Sequence, residues 1–484
     1  MILRKLPLRL AVRYVATMPV ANQPRLPLVA IMGTTGTGKS DLAVDLAVRF
    51  NGEIINADAM QMYRGLPVIT NQISAEEQRG VPHHLLATIG HDQPTWTVGV
   101  FAREATKLIG EIRSRGKLPI IVGGTHYYIS ALLFENSLVD SQTSENPDVA
   151  HVPQTDTRQQ HAILEGPTDL MLQRLREVDP VIASRWHPDD RRKIQRSLEI
   201  FLTTGRKASD IYAEQQEAKA SVAPSSSPWE ALMFWVYSKP DVLKERLDQR
   251  IDKMEKVGLM DEVRELHHYL RDQSTLGNEV DRTRGIWQSI GFKQFEPFLD
   301  GERDGVPSND LEKLRLAGLE DMKTATRQYA RSQLRWIRLK TAPALKERDA
   351  LQYFYLMDSS DASNFSDNVL SPASDITELF LNGKELPPPA GVSETASEVL
   401  SAFSDENMKP KPVFEARHCD LCNVTLTTED QWNKHLKGRS HRRVLKHKSR
   451  TALVPVDGAE DTAETEPNQR TPVDCGTNDD SAPS

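Results

Sequence analysis

The chain has 484 residues, 38% of them hydrophobic, with 60 basic against 68 acidic residues and a formal net charge of −8. That length supports roughly two to four domains, and a mean hydropathy of −0.49 leaves sizeable parts too polar to bury a core. Three cysteines (Cys419, Cys422 and Cys475) exclude a disulfide scaffold and fit a reducing compartment, and no apolar run approaches the roughly 20 residues of a membrane span.

At the N-terminus Arg4, Lys5, Arg9, Arg13 and Arg25 are basic, and no acidic residue precedes Asp41. Leu3, Leu6, Leu10 and Tyr14 supply an apolar face at helical spacing. Residues 1–26 therefore read as a mitochondrial targeting segment. Initiation at Met18 would skip most of it, so the cytoplasm, and beyond it the nucleus, are further expected destinations.

The next stretch carries the most chemistry. Gly33-Thr34-Thr35-Gly36-Thr37-Gly38-Lys39-Ser40 satisfies G-x-x-x-x-G-K-[ST], the P-loop pattern. The apolar run Leu28 to Met32 before it reads as a strand, and Asp41 to Ala47 after it as a helix, which is the context the motif requires. Glycines let backbone N–H groups turn inward on a phosphate, and the helix N-terminus adds a favourable dipole. Lys39 would reach the outer phosphate and Ser40 would ligate Mg²⁺. The motif predicts a bound di- or triphosphate without saying whether it is ATP.

Strands at Glu53 to Asn56 and Leu118 to Val122, with a helix from Val98 to Arg115, continue an α/β alternation with a parallel sheet. The fold class is α/β, a P-loop NTPase-like parallel-sheet core with a helical insertion and a small C-terminal zinc finger. Ligands in such sheets sit at the carboxyl ends of the strands, so Asp58, Gly123, Gly124 and Thr125 are expected beside the P-loop. Residues 27–137 form the first part of the core, 138–228 a polar loop and helical insertion, and 229–345 the second part of the core. That second part starts with a return strand over Ala231 to Tyr237. Long helices are expected from Pro240 to about Arg271 and from Asp310 to Leu339. Residues 358–411, rich in Ser, Asp and Pro, read as a disordered linker. Residues 412–450 form a basic module, and 451–484 a disordered acidic tail.

ATPases and kinases with a P-loop usually end a second strand in a carboxylate that helps hold Mg²⁺. Here that strand ends Val122-Gly123-Gly124-Thr125, which argues against routine phosphoryl transfer. The carboxylate lies instead in Asn56-Ala57-Asp58-Ala59-Met60-Gln61-Met62-Tyr63-Arg64. Asp58 could ligate metal, act as a general base, or merely cap a turn. Thr125 alone reads as a turn residue, and Arg250 alone as part of a solvated helix face.

These residues resemble the tRNA dimethylallyltransferases, also called tRNA isopentenyltransferases, in a eukaryotic form. The resemblance runs through the P-loop, Asn56 to Arg64, Pro119 to Tyr128, His187 to Glu199, Arg246 to Gly258, Gly291-Phe292-Lys293 and Thr326 to Ala330. It covers about residues 27 to 340. It implies transfer of a five-carbon group from dimethylallyl diphosphate to N6 of the adenosine 3′-adjacent to the anticodon in tRNA. By resemblance the P-loop holds the donor diphosphate, with Mg²⁺, and Asp58, Thr125, Lys39 and Arg250 are catalytic. Asp58, Ala59, Met60 and Gln61 would contact the flipped adenosine and its neighbours, and Arg191, Arg192, Lys193 and Arg196 the tRNA stem. Gln72, His126 and Ser332 depart from the family pattern; Gln72 and Ser332 could alter tRNA affinity. The partners implied are the tRNA anticodon stem-loop and the donor, with no membrane, for a protein acting as a monomer.

Cys419-x₂-Cys422-x₁₂-His435-x₅-His441 has C₂H₂ zinc-finger spacing and gives a closed, structural Zn²⁺ site. Phe414 and Leu436 can supply its small core. Lys434, Lys437, Arg439, Arg442, Arg443 and Lys446 give its helix the electrostatic footprint of nucleic-acid binding. Two rivals remain: an adenylate isopentenyltransferase acting on free nucleotides, and a nucleic-acid-binding regulator whose P-loop is an ATP-driven switch.

Overall fold

The run Leu28 to Met32 is apolar at every position because its strand is covered on both faces. In the computed structural model, which describes residues 26–134, 162–221, 229–278, 280–403 and 414–451, that strand lies inside a six-stranded parallel sheet. In chain order the elements are β1 (Pro27–Gly33), α1 (Lys39–Arg49), β2 (Gly52–Asn56), β3 (His83–His84), α2 (Val98–Ser114), β4 (Leu118–Gly123) and α3 (His126–Leu133). There follow α4 (Arg191–Thr204), β5 (Glu230–Tyr237), α5 (Pro240–Lys256), α6 (Leu259–Thr275), α7 (Phe292–Arg303), α8 (Ser308–Trp336), β6 (Phe354–Asp358), α9 (Ser371–Leu381) and α10 (Glu394–Leu400). The sheet order is β3-β2-β4-β1-β5-β6.

Alternate residues of β1 feed two cores. Leu28, Ala30 and Met32 pack with α2, α3 and the helices after β5; Val29 and Ile31 pack with Leu42 and Leu46 of α1. This period of two is what a strand buried on both faces requires. The long helix expected from Pro240 breaks at Gly258, which separates α5 from α6.

The linker expected over 358–411 is not what the structure holds. From Asp358 through Phe403 the chain is ordered and belongs to the core. β6 pairs parallel to β5, from Met233↔Phe354 to Tyr237↔Asp358. Tyr355 and Met357 join Val369, Ala373, Ile376 and Phe380 on one face; Phe354 and Leu356 join Trp235, Ala396 and Phe403 on the other. The polar composition misleads because many of those Ser and Asp residues cap turns and helices. Ser393, for instance, accepts the Ala396 N–H at 3.0 Å.

The described residues divide into two units, 26–134 with 204–403, and 162–203 with 414–451. The insertion read over 138–228 is thus split, with 204–221 belonging to the core unit. In the second unit β7 (Phe414–Cys419) and β8 (Val424–Thr428) form an antiparallel hairpin, followed by α11 (Glu429–Lys437) and α12 (Arg439–Thr451). The Ala416 N–H donates to the Ser184 carbonyl at 2.9 Å, and His187 Nε2 donates to the Thr425 carbonyl at 3.0 Å. His187 Nδ1 accepts the Asp189 N–H at 3.2 Å, which fixes that tautomer. The hairpin is therefore bonded to the segment that leads into α4. Residues 1–25 of the targeting segment, 135–137 of the first core part, 138–161 and 222–228 of the insertion, 404–411 of the expected linker, 412–413 and the tail from 452 lie outside the described residues, as does the Phe414 side chain. Leu436 is 39% exposed, so it is not the sealed core residue expected of it.

One ion cluster pins the sheet. Glu53 of β2 is buried and meets Arg115 Nη2 at 2.6 Å, Lys117 Nζ at 3.0 Å and His84 Nε2 at 2.7 Å. Burial alone would raise its carboxyl, but these three partners outweigh it and hold it at about 2. A folded value below the ordinary 4.5 means this stability is present above pH 4.5 and is lost as pH falls toward 2. Glu53→Gln should cost about 2–3 kcal/mol at pH 7, less than a fully buried pair because Arg115 and Lys117 are partly exposed. Urea unfolding should show the gap from the parent protein shrinking below pH 4.5; a gap that widens there would contradict the assignment.

Candidate active site and metal centre

The P-loop occupies the carboxyl end of β1, where the glycines turn the chain into α1. It is tied internally and from outside. Thr37 Oγ1 donates to the Thr34 carbonyl at 2.9 Å, and Lys39 Nζ to the same oxygen at 2.7 Å. Gln333 of α8 takes the Thr35 N–H on Oε1 at 2.9 Å and donates from Nε2 to the Gly124 carbonyl at 2.9 Å. Arg250 of α5 donates to Thr35 Oγ1 at 2.7 Å, and Arg246 to the Gly36 carbonyl at 3.3 Å. Gly33, Thr34, Thr35, Gly36, Thr37, Gly38, Lys39 and Ser40 thus form one loop, and Thr35 through Ser40 line a cleft of about 910 Å³.

Asp58 reaches the same cleft from β2. A Cβ on Gly123 would stand 2.3 Å from the Ala57 carbonyl, so only glycine lets the end of β4 come this close. That approach sets the turn that carries Asp58. Asn56 holds the turn, accepting the Asp58 N–H at 3.1 Å and donating to the Asp58 carbonyl at 3.1 Å. The Met60 N–H donates to Asp58 Oδ1 at 3.1 Å. Thr125 Oγ1 accepts the Ala59 N–H at 3.0 Å, and the Tyr329 hydroxyl bonds both Thr125 and Gln333.

Removal from water dominates the electrostatics. It raises the Asp58 carboxyl, against the opposing pull of Lys39, the Met60 and Gln61 N–H groups and Arg250. It lowers Lys39 to about 8, with Asp58 working the other way, and Arg250 to about 10. Burial and then the Lys39 charge push His126 down to about 3, so its imidazole is neutral, and neither ring nitrogen has a partner among the described residues. A carboxyl raised toward neutrality beside two cations can accept a proton next to an anionic leaving group.

Of the residues singled out from sequence, Asp58, Lys39, Arg250 and Thr125 come together. Gln61 lines the cleft, its amide donating to the Asn71 carbonyl at 2.8 Å. Ala59 and Met60 pack partly against the core. Gln72 braces the same loop, donating to the Tyr63 carbonyl at 2.7 Å.

Arg191, Arg192, Lys193 and Arg196 lie on α4. Arg191 is engaged structurally, donating to the carbonyls of Leu164, Glu165 and Gly166. Lys193 pairs with Asp190 at 2.6 Å and Arg196 with Glu199 at 3.0 Å, while Arg192 is exposed. Sequence reasoning assigned no role to Tyr329, Gln333, Arg246 or Phe365, all of which touch the loop or its partners. Thr326, Ala330 and Gln333 share a buried face of α8, so helical spacing from Tyr329 was the available signal for Gln333.

In the second unit Cys419, Cys422, His435 and His441 offer ligand atoms all within 4.8 Å of one another. His441 Nδ1 lies 3.6 Å from Cys419 Sγ, 3.4 Å from Cys422 Sγ and 3.1 Å from His435 Nε2. Zn–S near 2.3 Å and Zn–N near 2.0 Å in a tetrahedron put ligand atoms about 3.3–3.8 Å apart. The two thiols and two imidazoles fit Zn²⁺ and leave no open position. α11 and α12 part at Gly438, which lets His435 and His441 converge across five residues.

Comparison with known proteins agrees with this geometry. An IPP transferase family model matches residues 61–340, and a zinc-finger model of C2H2 type matches 417–441. The tRNA dimethylallyltransferase of Schizosaccharomyces pombe is 38% identical, over 88% of this chain and 96% of its own length. The Homo sapiens enzyme of the same name is 35% identical, over 94% and 93%. A eukaryotic dimethylallyltransferase, solved in crystallographic snapshots acting on tRNA, superposes with a TM-score of 0.70 at 33% identity, covering 88% of this chain and 98% of that one. With a parallel α/β core that gathers Lys39, Asp58 and Arg250 at the strand ends, and a Cys₂His₂ finger in the second unit, the chain belongs to the tRNA dimethylallyltransferase family.

Proposed function

We propose that the enzyme transfers the dimethylallyl group of dimethylallyl diphosphate to N6 of the adenosine 3′-adjacent to the anticodon of tRNA. The observation that carries this reading is the shared cleft of Asp58, Lys39 and Arg250, on a P-loop whose neighbouring strand ends in Gly123-Gly124 instead of a carboxylate. N6 attacks C1 of the donor, the C1–O bond to diphosphate breaks, and Asp58 accepts the N6 proton. Lys39, Arg250 and the loop N–H groups stabilise the charge that grows on the departing diphosphate. Thr125 holds the turn that aims Asp58, and Tyr329 holds Thr125. Ser40 lines the cleft as a hard oxygen donor and suits Mg²⁺, which would neutralise diphosphate charge when bound. Matches that extend through the finger favour tRNA over free nucleotides as acceptor.

Asp58→Asn should lower turnover by about 10²–10⁴-fold with donor affinity changed far less. In the parent enzyme kcat/KM for the donor should fall above about pH 8, as Lys39 loses its proton, and fall on the acid side as Asp58 gains one. Asp58→Asn should abolish the acid limb and move the alkaline limb to lower pH, because the Asp58 charge helps Lys39 keep its proton. An unaltered pH profile in the variant would remove Asp58 from the reaction.

The finger supports tRNA binding through the cationic α12. Cys422→Ser, or zinc chelation, should weaken tRNA binding and flatten its salt dependence, while single-turnover transfer at saturating tRNA persists. Because the hairpin is bonded to Ser184 and His187, metal loss should also raise proteolysis near residues 180–190. Unchanged cleavage there would show that the finger and insertion do not support one another.

The acid-free basic stretch before Asp41 supports mitochondrial delivery alongside a cytoplasmic form. A fusion starting at Met1 should reach mitochondria and one starting at Met18 should stay outside them; identical distributions would refute the targeting reading.

A further inference from the structure

The P-loop has a neighbour beyond the matched family region. After β6 the chain makes a tightly held turn. The Ser359 N–H donates to the Tyr237 carbonyl at 2.7 Å, and the Lys239 N–H to Ser360 Oγ at 2.9 Å. Asp358 accepts the Ser360 N–H at 2.9 Å and the Thr395 hydroxyl at 2.6 Å. Arg246 links this turn to the loop, donating to the Ser359 carbonyl at 2.9 Å and the Gly36 carbonyl at 3.3 Å. The turn delivers Phe365 to the start of α1. A Cβ on Gly38 would stand 2.7 Å from Phe365 Cε2 and 3.5 Å from Asp41 Oδ2. Phe365, Asp41 and Glu77 line the same cleft as Asp58.

The two ends of the cleft differ in chemistry. Asp58 interacts with Lys39 and Arg250. At Asp41, partial burial and then the Glu77 charge raise the carboxyl. One end is cationic and holds the base. The lining beside Phe365 offers an aromatic ring without donors and two carboxylates, and the cleft's further cations are Arg246 and Lys253. A phosphate chain running past Gly38 toward Asp41 would meet no hydrogen-bond donor on Phe365 and like charge from Asp41 and Glu77.

We propose that Phe365 closes the outer end of the phosphate cradle, so that the cleft admits a diphosphate ester and rejects nucleoside triphosphates. The inference rests on the reading of the P-loop as the donor-diphosphate site. It makes Phe365 a specificity-determining residue carried on a segment outside the matched residues 61–340. A bare P-loop binds nucleotides in many proteins, and here the exclusion comes from the chain that follows β6.

The test uses the full chain, Mg²⁺ and an anticodon stem-loop, with prenyl transfer inhibited by inorganic diphosphate or by ATP. The parent enzyme should be inhibited far more strongly by diphosphate. In Phe365→Ala the inhibition constant for ATP should fall by about tenfold while that for diphosphate moves less than about threefold, and Phe365→Leu should shift the ratio in the same direction by less. If both variants keep the parent ratio of ATP to diphosphate inhibition, Phe365 is not the discriminator. Should Phe365→Ala fail to fold, the Phe365→Leu ratio decides alone. Failure of inorganic diphosphate to inhibit the parent enzyme at all would instead overturn the donor-site reading on which the proposal stands.

Discussion

Two recessed cations, Lys39 and Arg250, face a single carboxylate, Asp58, and among the described residues no ion pair joins them. Excess positive charge out of water is unfavourable, and the lowered values of both cations express that cost. An anion of two or more charges between them would offset it. The site therefore suits a polyanion, and Arg250 Nε, buried and without a partner among the described residues, offers it a donor. Most of the surrounding architecture holds the polar groups of this site in register. Gln333 ties the Thr35 N–H to the Gly124 carbonyl, and Tyr329 braces Thr125. Both lie on α8, so one helix fixes the phosphate loop and the turn that aims Asp58.

That arrangement needs a sheet that does not shift. β1 supplies the loop, β2 the carboxylate and β4 the glycine contact, and all three are neighbours in one parallel ladder. A slip of one residue would exchange the two buried faces, which differ in size and partners, so packing strongly penalises it. The β5–β6 side is closed by aromatic packing, Trp235 stacking on Phe354 with ring centroids 5.9 Å apart. The matched family region starts after Asp58 and ends before β6. The working cleft is completed from both flanks, by the loop that precedes that region and by the turn that follows it.

How far the sequence disclosed this depended on whether a residue's role is local. The P-loop, the Cys₂His₂ spacing and the strand at Leu28 were legible because motif and context sit within a few dozen residues. Asp58 was legible because a strand end in an α/β sheet has a known address. The order of residues 358–403 was not, since Val369, Ile376 and Phe380 are few among Ser, Asp and Pro and acquire meaning only against β5 and α1. Gln333 offered only its helical spacing from Tyr329, since its partners Thr35 and Gly124 lie 298 and 209 residues away. Arg191 was read by resemblance as a tRNA contact; its guanidinium satisfies the carbonyls of 164–166, a role that no charge pattern records.

The second unit shows how charge and scaffold are divided. On α4, Lys193 is paired with Asp190 and Arg196 with Glu199, and the Arg191 guanidinium is held by carbonyls, which leaves Arg192 as the exposed cation of the four. α12 carries Arg439, Arg442 and Arg443 with no acidic residue along its length. A polyanion is drawn by uncompensated charge, not by cations already paired. The hydrogen bonds from Ala416 to Ser184 and from His187 to Thr425 then acquire a purpose. They mount the cationic finger on the helical segment, so that zinc, by fixing the hairpin and α12 around one point, also fixes where that charge is presented.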